Sequence, residues 1–301
     1  MAQTFNTITF EKQLSILENC SRWMVQIGID LTNTRFEKIL TILRVIVDHY
    51  KQDNISELYN KYSEATLFYV LTDATAFMKI FLFLKDKKSH QIPRRKIIES
   101  ISGPILPWEE EPKQGTSHSR NTIFELETAV LFHESGLEIK DFDDVRFLFD
   151  NYAFNVQCKR IHSPKRIADN VKEAATQISN QNGNKPKVKG IIFLCIDKLT
   201  EKEKVILEVN HENEVGPHLD MITREFIQTY NHLWQNLINI NILGTAIFIK
   251  ILANIKRYNK PMPTICRHRI LDIIPDKNHQ PHDYLLIKKL SAKLGLRNIG
   301  G

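Results

Sequence analysis

Asp144, Gln157 and Lys159 are the residues of this 301-residue chain whose types and spacing suit chemistry on a phosphodiester. Hydrolysing that bond needs a hard cation held by oxygens and a positive charge where negative charge develops. Asp144 offers a carboxylate, Gln157 an amide oxygen, the backbone carbonyl of Cys158 a third oxygen, and Lys159 an ammonium. These groups meet only if the chain turns back on itself. The runs Val145–Phe149 and Tyr152–Cys158 are rich in apolar residues and flank Asp150-Asn151, a dipeptide suited to the positive φ angles of a two-residue hairpin turn. Pairing Phe149 with Tyr152 and counting outward sets Asp144 opposite Gln157, with Cβ atoms about 5 Å apart. Lys159 shares their face, because side chains alternate along a strand. Val145, Phe147, Phe149, Phe154, Val156 and Cys158 then fall on the other face, which reads as the core side.

An acid opening one strand, followed on the next by a (D/E/Q)-x-K tripeptide, resembles the signature of the PD-(D/E)XK nuclease superfamily. Here it is Asp144, twelve residues, then Gln157-Cys158-Lys159, and the form VQCKR is most similar to the Mrr-type restriction endonuclease branch. Asp143 stands where the name-giving Pro would be, and Gln157 replaces the acidic residue of the tripeptide. The resemblance covers about residues 120–200. It implies a Mg²⁺ (or Mn²⁺) dependent nuclease acting on DNA, cutting to leave a 5'-phosphate and a 3'-hydroxyl. Asp144, Gln157 and the Cys158 carbonyl would be metal ligands, and Lys159 would orient water or stabilise the transition state. In the families it resembles, a leading helix carries a Phe-Glu pair eleven residues before a terminating Gly. Phe124-Glu125 and Gly136 fit that spacing, which makes Glu125 a further metal ligand and Glu127 its reserve.

The elements that must position these residues are legible on either side. Arg120–Gly136 reads as an amphipathic helix with Ile123, Leu126, Val130 and Leu131 toward a core. After the hairpin, His162–Ser179 reads as a loop and helix, with Ser163 as N-cap, Pro164 in the first turn, and Ile167, Val171, Ala174, Ala175 and Ile178 as the buried stripe. Its polar face offers Lys165, Arg166, Asn170, Lys172 and Gln177, which together with Arg160 can lie along a phosphate backbone. Gly190–Asp197 is a continuous apolar run of the kind buried on both faces, and strand, helical crossover, strand implies parallel pairing. Met221–Ile238 reads as a helix, Gly244–Leu252 and Thr264–Ile274 as strands, and Leu285–Leu294 as a short helix. The fold class is therefore α/β: a restriction-endonuclease-like core, with a mixed central sheet flanked by helices, behind an N-terminal all-α domain.

The chain divides into a helical domain at 1–88, a linker at 89–119 rich in Pro and charge, and a nuclease domain with C-terminal extension at 120–301. In the first, apolar residues recur at helical spacing, Thr32 or Asn33 and Ser63 suit N-caps, and Asp73 and Lys79 read as boundary positions on an apolar helix. This domain reads as an interaction, dimerisation or targeting module. Positive charge accumulates in and after the motif. Residues 159–190 carry eight Lys and Arg against two acids, and 250–297 carry eleven against three, while 1–88 is near neutral. Such a bias suits a surface that meets phosphate. No apolar run approaches a membrane span, and four scattered cysteines make no CxxC pair, so the expectation is a reducing, cytoplasmic setting without zinc or disulfides. Two other readings stay open: an inactive nuclease fold that binds nucleic acid or a protein partner, and a structural hairpin with Asp144 and Lys159 as an ordinary ion pair.

Overall fold

The computed structural model describes residues 8–88, 91–110, 118–142, 145–183, 185, 187–200, 206–235, 242–256, 263–273, 281–294 and 297–298. The chain divides into two compact units, 1–123 and 124–301.

The first unit is helical. Its long helices are α1 (Phe10–Gln26), α2 (Arg35–Lys51) and α4 (Glu64–Leu84), with the short α3 (Ile55–Lys61) between the last two. Thr34 caps α2 through its hydroxyl, which accepts from Glu37 N at 3.2 Å, and Ser63 caps α4 in the same way through Thr66 N. The α2 cap thus falls one residue beyond the expected Thr32 or Asn33, because Asn33 takes a left-handed φ of 59° and turns the chain into the helix. α4 is apolar on nearly every side and, against the expectation that no run approaches a membrane span, is long and apolar enough to cross a bilayer, though 83% of its most apolar window is buried within the fold. Such a helix is a core helix. Burial pushes the thiol of Cys20, on α1, well above its ordinary value.

The stretch expected as a linker carries α5 (Arg94–Ile101) and a 3₁₀ turn at Pro107–Glu109, both inside this first unit. Ile97 and Ile101 are buried, and the buried guanidinium of Arg35 donates to Ser100 O at 2.6 Å. The unit's centre is ionic. Asp73 Oδ2 lies 3.3 Å from Arg120 Nη2 and 3.6 Å from Arg35 Nε, and Arg120 Nη1 donates to Glu110 Oε1 at 2.6 Å. Arg120 also donates to the Ile105 carbonyl. All four charged residues are buried, so Asp73 is a core ion rather than a boundary position.

The second unit is a mixed α/β layer structure. Helix α6 (His118–Glu134), whose residues from Phe124 onward belong to this unit, leads into β1 (Glu138–Asp141), β2 (Val145–Phe149) and β3 (Tyr152–Arg160). It ends as expected at Gly136, whose φ of 74° lets Gly136 N bond to His133 O and Leu137 N to Phe132 O. After a 3₁₀ turn at Pro164–Arg166, helix α7 (Ile167–Asn182) crosses to β4 (Val188–Cys195). Then follow α8 (Asp197–Thr200), β5 (Ile206–Val209), α9 (Val215–Thr229), α10 (Asn231–Gln235), β6 (Ile242–Ile255), β7 (Pro263–Ile273), α11 (Pro281–Lys293) and β8 (Arg297–Asn298). The expected helix at Met221–Ile238 begins earlier and breaks at Tyr230. The sheet order is β1-β2-β3-β4-β6-β7-β8, with β5 beside β6. β2 runs antiparallel to β1 and β3, while β3, β4 and β6 are mutually parallel.

The hairpin has the expected register, from Phe149↔Tyr152 to Val145↔Val156, and Asp150 and Asn151 take φ of 49° and 64°. Its core face joins Val145, Phe147, Phe154 and Val156 to Phe124, Ala129 and Phe132 of α6 and to Leu286, Ile287 and Leu290 of α11. Phe147 and Phe154 stack at 4.9 Å, nearly parallel. The opposite face of the sheet carries α7 and α9 through Ile167, Val171, Ala174, Ile178, Leu219 and Phe226. Each face of the sheet is therefore covered by helices, and the two sides of β3 meet different ones.

Candidate active site

Asn155, Gln157 and Lys159 alternate with the core residues of β3 and so face α7. Three consecutive polar positions beneath a packed helix are costly unless each finds a partner. Each does. Asn155 Nδ2 donates to Asn182 Oδ1 at 2.6 Å, with both residues buried. Gln157 Nε2 donates to Gln181 Oε1 at 3.3 Å. Lys159 Nζ lies 2.8 Å from Glu173 Oε1, which also accepts from Gln177 Nε2 at 3.2 Å. The result is a polar seam between strand and helix, dry at the Asn155 end and open at the Lys159 end. The Lys159 side chain is 15% exposed and that of Glu173 56%.

The dry end makes a direct prediction. Asn182→Ala leaves the buried Asn155 amide without its acceptor and costs about 1–3 kcal/mol in denaturant unfolding. An unchanged midpoint would mean that the Asn–Asn bond contributes nothing.

At the open end the oxygens are suggestive. Gln177 Oε1 is buried and accepts no hydrogen bond, so an acceptor sits beside a carboxylate and an ammonium with no donor aimed at it. Among the described residues no three of His, Cys, Asp and Glu gather closely enough to hold a metal ion. Asp144, the acid expected opposite Gln157, lies outside the described residues, as does Asp143. The described pairing with β2 ends at Val156, and from Gln157 onward β3 is paired with β4, Lys159 opposite Leu194.

The remaining expected residues distribute as follows. Glu125 is half-buried and Glu127 buried on α6, the helix that covers the opposite face of the sheet. Cys158 is half-buried against that same face. Arg160 does not lie on a phosphate-facing surface. It is 3% exposed, and its Nε donates to Asp197 Oδ1 at 3.2 Å, because strand alternation turns it away from Lys159. Lys165, Arg166 and Lys172 are exposed, with Arg166 paired to Asp169 at 3.6 Å. Gln177 faces the seam instead of the solvent-facing basic surface.

Glu173, Gln181, Asn155 and Asn182 are the residues that the sequence reading missed. A signal existed: Glu173, Gln177 and Gln181 repeat at four-residue intervals, which stacks them on one helix face beside the apolar stripe. An open cleft before and along the first turns of α9, lined by His211, Asn213, Glu214, Pro217, His218 and Met221, contains none of the site residues. No family model matches this chain, and no curated protein or solved structure matches it either.

Proposed function

We propose that this chain is a metal-dependent nuclease, an endonuclease acting on DNA, with Gln157, Lys159 and Glu173 at its site and with Asp144 as the acid that the PD-(D/E)XK resemblance adds; Glu125, which the resemblance also offers, starts from the helix on the other face of the sheet and is left out of the site. The observation that carries the reading is the Lys159 ammonium held at 2.8 Å from Glu173 in an accessible position, beside a buried amide oxygen that accepts nothing. The succession of helix α6, hairpin β2–β3, crossover helix α7 and buried parallel strand β4 supports it, being the order that the resemblance implies.

The donors at the open end of the seam suit Mg²⁺ or Mn²⁺, since they are oxygens: the Glu173 carboxylate and the amides of Gln157 and Gln177. When bound, such a cation acidifies a water and neutralises charge on the scissile phosphate. Lys159 places a fixed positive charge where the non-bridging oxygens become more negative, and Glu173 holds that ammonium in position. Gln181 engages the Gln157 amide nitrogen, which leaves the Gln157 oxygen as the atom to offer. Glu173 also restores the negative charge that Gln157 lacks.

Titrating Mg²⁺ against the nicking rate tests the role of Glu173. Glu173→Gln raises the metal requirement by roughly 10–100-fold, the usual range for a group supporting a metal site. A metal dependence and rate equal to wild type would remove Glu173 from the account. Two-strand cutting goes with a homodimer, and the helical unit with binding a protein partner. One observation favours a second reading, a binding module on an inactive nuclease fold: within the seam, the Lys159 and Glu173 charges cancel and the other members are neutral amides.

A further inference from the structure

Asn182-Gly183 is the only Asn-Gly pair in the sequence, and it closes α7 at the dry end of the seam. In such a pair the backbone nitrogen of the glycine can attack the side-chain carbonyl carbon of the asparagine. No Cβ shields that nitrogen, and glycine moves freely through the angles that closing the five-membered ring requires. Gly183 has φ of 53° and ψ of −145°, and a Cβ placed on it would meet nothing within 4 Å. It is exposed to water, whereas Asn182 is fully buried.

The fold ties down both reacting groups. Asn182 Oδ1 accepts from Asn155 Nδ2 at 2.6 Å and Asn182 Nδ2 donates to Val188 O at 3.5 Å, so the carboxamide is held by β3 on one side and by β4 on the other. Gly183 N donates to Ser179 O at 3.0 Å, carrying the hydrogen bonding of the helix one residue past its end. Attack requires the carboxamide to rotate out of its slot and the Gly183 N–H to leave Ser179. Both follow if the last turn of α7, packed through the buried Ile178, comes off the sheet.

We propose that Asn182-Gly183 is a modification site, an intramolecular deamidation site that is silent while the last turn of α7 is docked and reacts when that turn opens. Gly183 N bonds to Asn182 Cγ, the bond from Cγ to the amide nitrogen breaks, and the proton from Gly183 N leaves with that nitrogen as ammonia, giving a succinimide. Water then opens the ring at either carbonyl, leaving aspartate or isoaspartate at position 182. Water is the sole co-reactant, and nothing is oxidised or reduced. Either product exchanges the donor to Val188 O for a carboxylate in a buried slot, and isoaspartate also lengthens the backbone by a methylene. A reacted chain therefore does not re-dock its last turn, and the modification records that it once opened.

The test is peptide mapping of the full chain after incubation at mildly alkaline pH, in native buffer and in guanidinium chloride, with aspartate and isoaspartate at position 182 followed by mass and retention. Only the open fraction reacts, so the native rate lies about tenfold or more below the rate in denaturant. Asn155→Ala removes one tether and raises the native rate several-fold, with the rate in denaturant unchanged. Ile178→Val loosens the packing of the last turn and raises the native rate by a smaller factor, which keeps the test intact should Asn155→Ala not fold by circular dichroism. Equal rates in native buffer and denaturant, or no reaction in denaturant, would overturn the proposal. So would native rates that stay at the wild-type value in folded variants.

Discussion

Lys159→Ala lowers the single-turnover cleavage rate by about 10²–10³, the range found when one preorganised electrostatic group is removed from a transition state. The same change leaves stability within about 1 kcal/mol of wild type. The reason lies in the exposure of its partner: Glu173 is more than half exposed, and ion pairs in contact with solvent contribute little to folding. Loss of Lys159 returns Glu173 to water at no great cost. A merely structural Lys159 would give the opposite pattern, a lower melting temperature with an unchanged rate. Measuring both quantities on the same preparation separates the two roles.

Asp73→Ala unfolds the helical unit more readily by about 3–5 kcal/mol, the range for removing one partner of a buried ion pair. Asp73 is 4% exposed, Arg35 fully buried and Arg120 6% exposed, so truncation removes the carboxylate that lies against two buried guanidinium groups. Domains of this size are stable by roughly 5–15 kcal/mol, so the loss is a large fraction of the total. Thermal unfolding of the variant should begin ten degrees or more below wild type. A shift of only a degree or two would show that the network is solvated and carries no such weight.

The hairpin was legible in the sequence because its turn fixes everything else. Asp150-Asn151 sets a two-residue loop, the loop sets the register, and the register sorts Phe147 and Phe154 from Gln157 and Lys159. The stripe of α7 was legible for the same kind of reason, since Ile167, Val171, Ala174 and Ile178 recur at helical spacing and are buried. Strand β1 was missed because Glu138-Ile139-Lys140-Asp141 is a short, largely polar edge strand whose pairing comes from its neighbour. Residues 89–119 read as a linker from their prolines and charges. α5 nonetheless packs, because Arg35, more than sixty positions away, reaches the Ser100 carbonyl.

The candidate site divides in the same way. That Gln157 and Lys159 share a face follows from alternation alone. That Arg160 turns inward follows from the same alternation, and its pairing with Asp197 was the part beyond reach. Partners across long sequence separations, such as Glu173 for Lys159 and Arg120 for Asp73, depend on how elements pack, and no local pattern announces them. Within α7, however, the four-residue repeat Glu173, Gln177, Gln181 was readable beside the apolar stripe.

The most direct test of the nuclease reading is incubation of the wild-type chain with supercoiled plasmid, single-stranded DNA and RNA in Mg²⁺ or Mn²⁺, against the same mixtures in chelator. Metal-dependent nicking of DNA that is abolished by chelator and suppressed in Lys159→Ala is the predicted result. A wild type that is inert on every substrate with either metal, while still binding nucleic acid, would contradict catalysis and leave the binding module in its place.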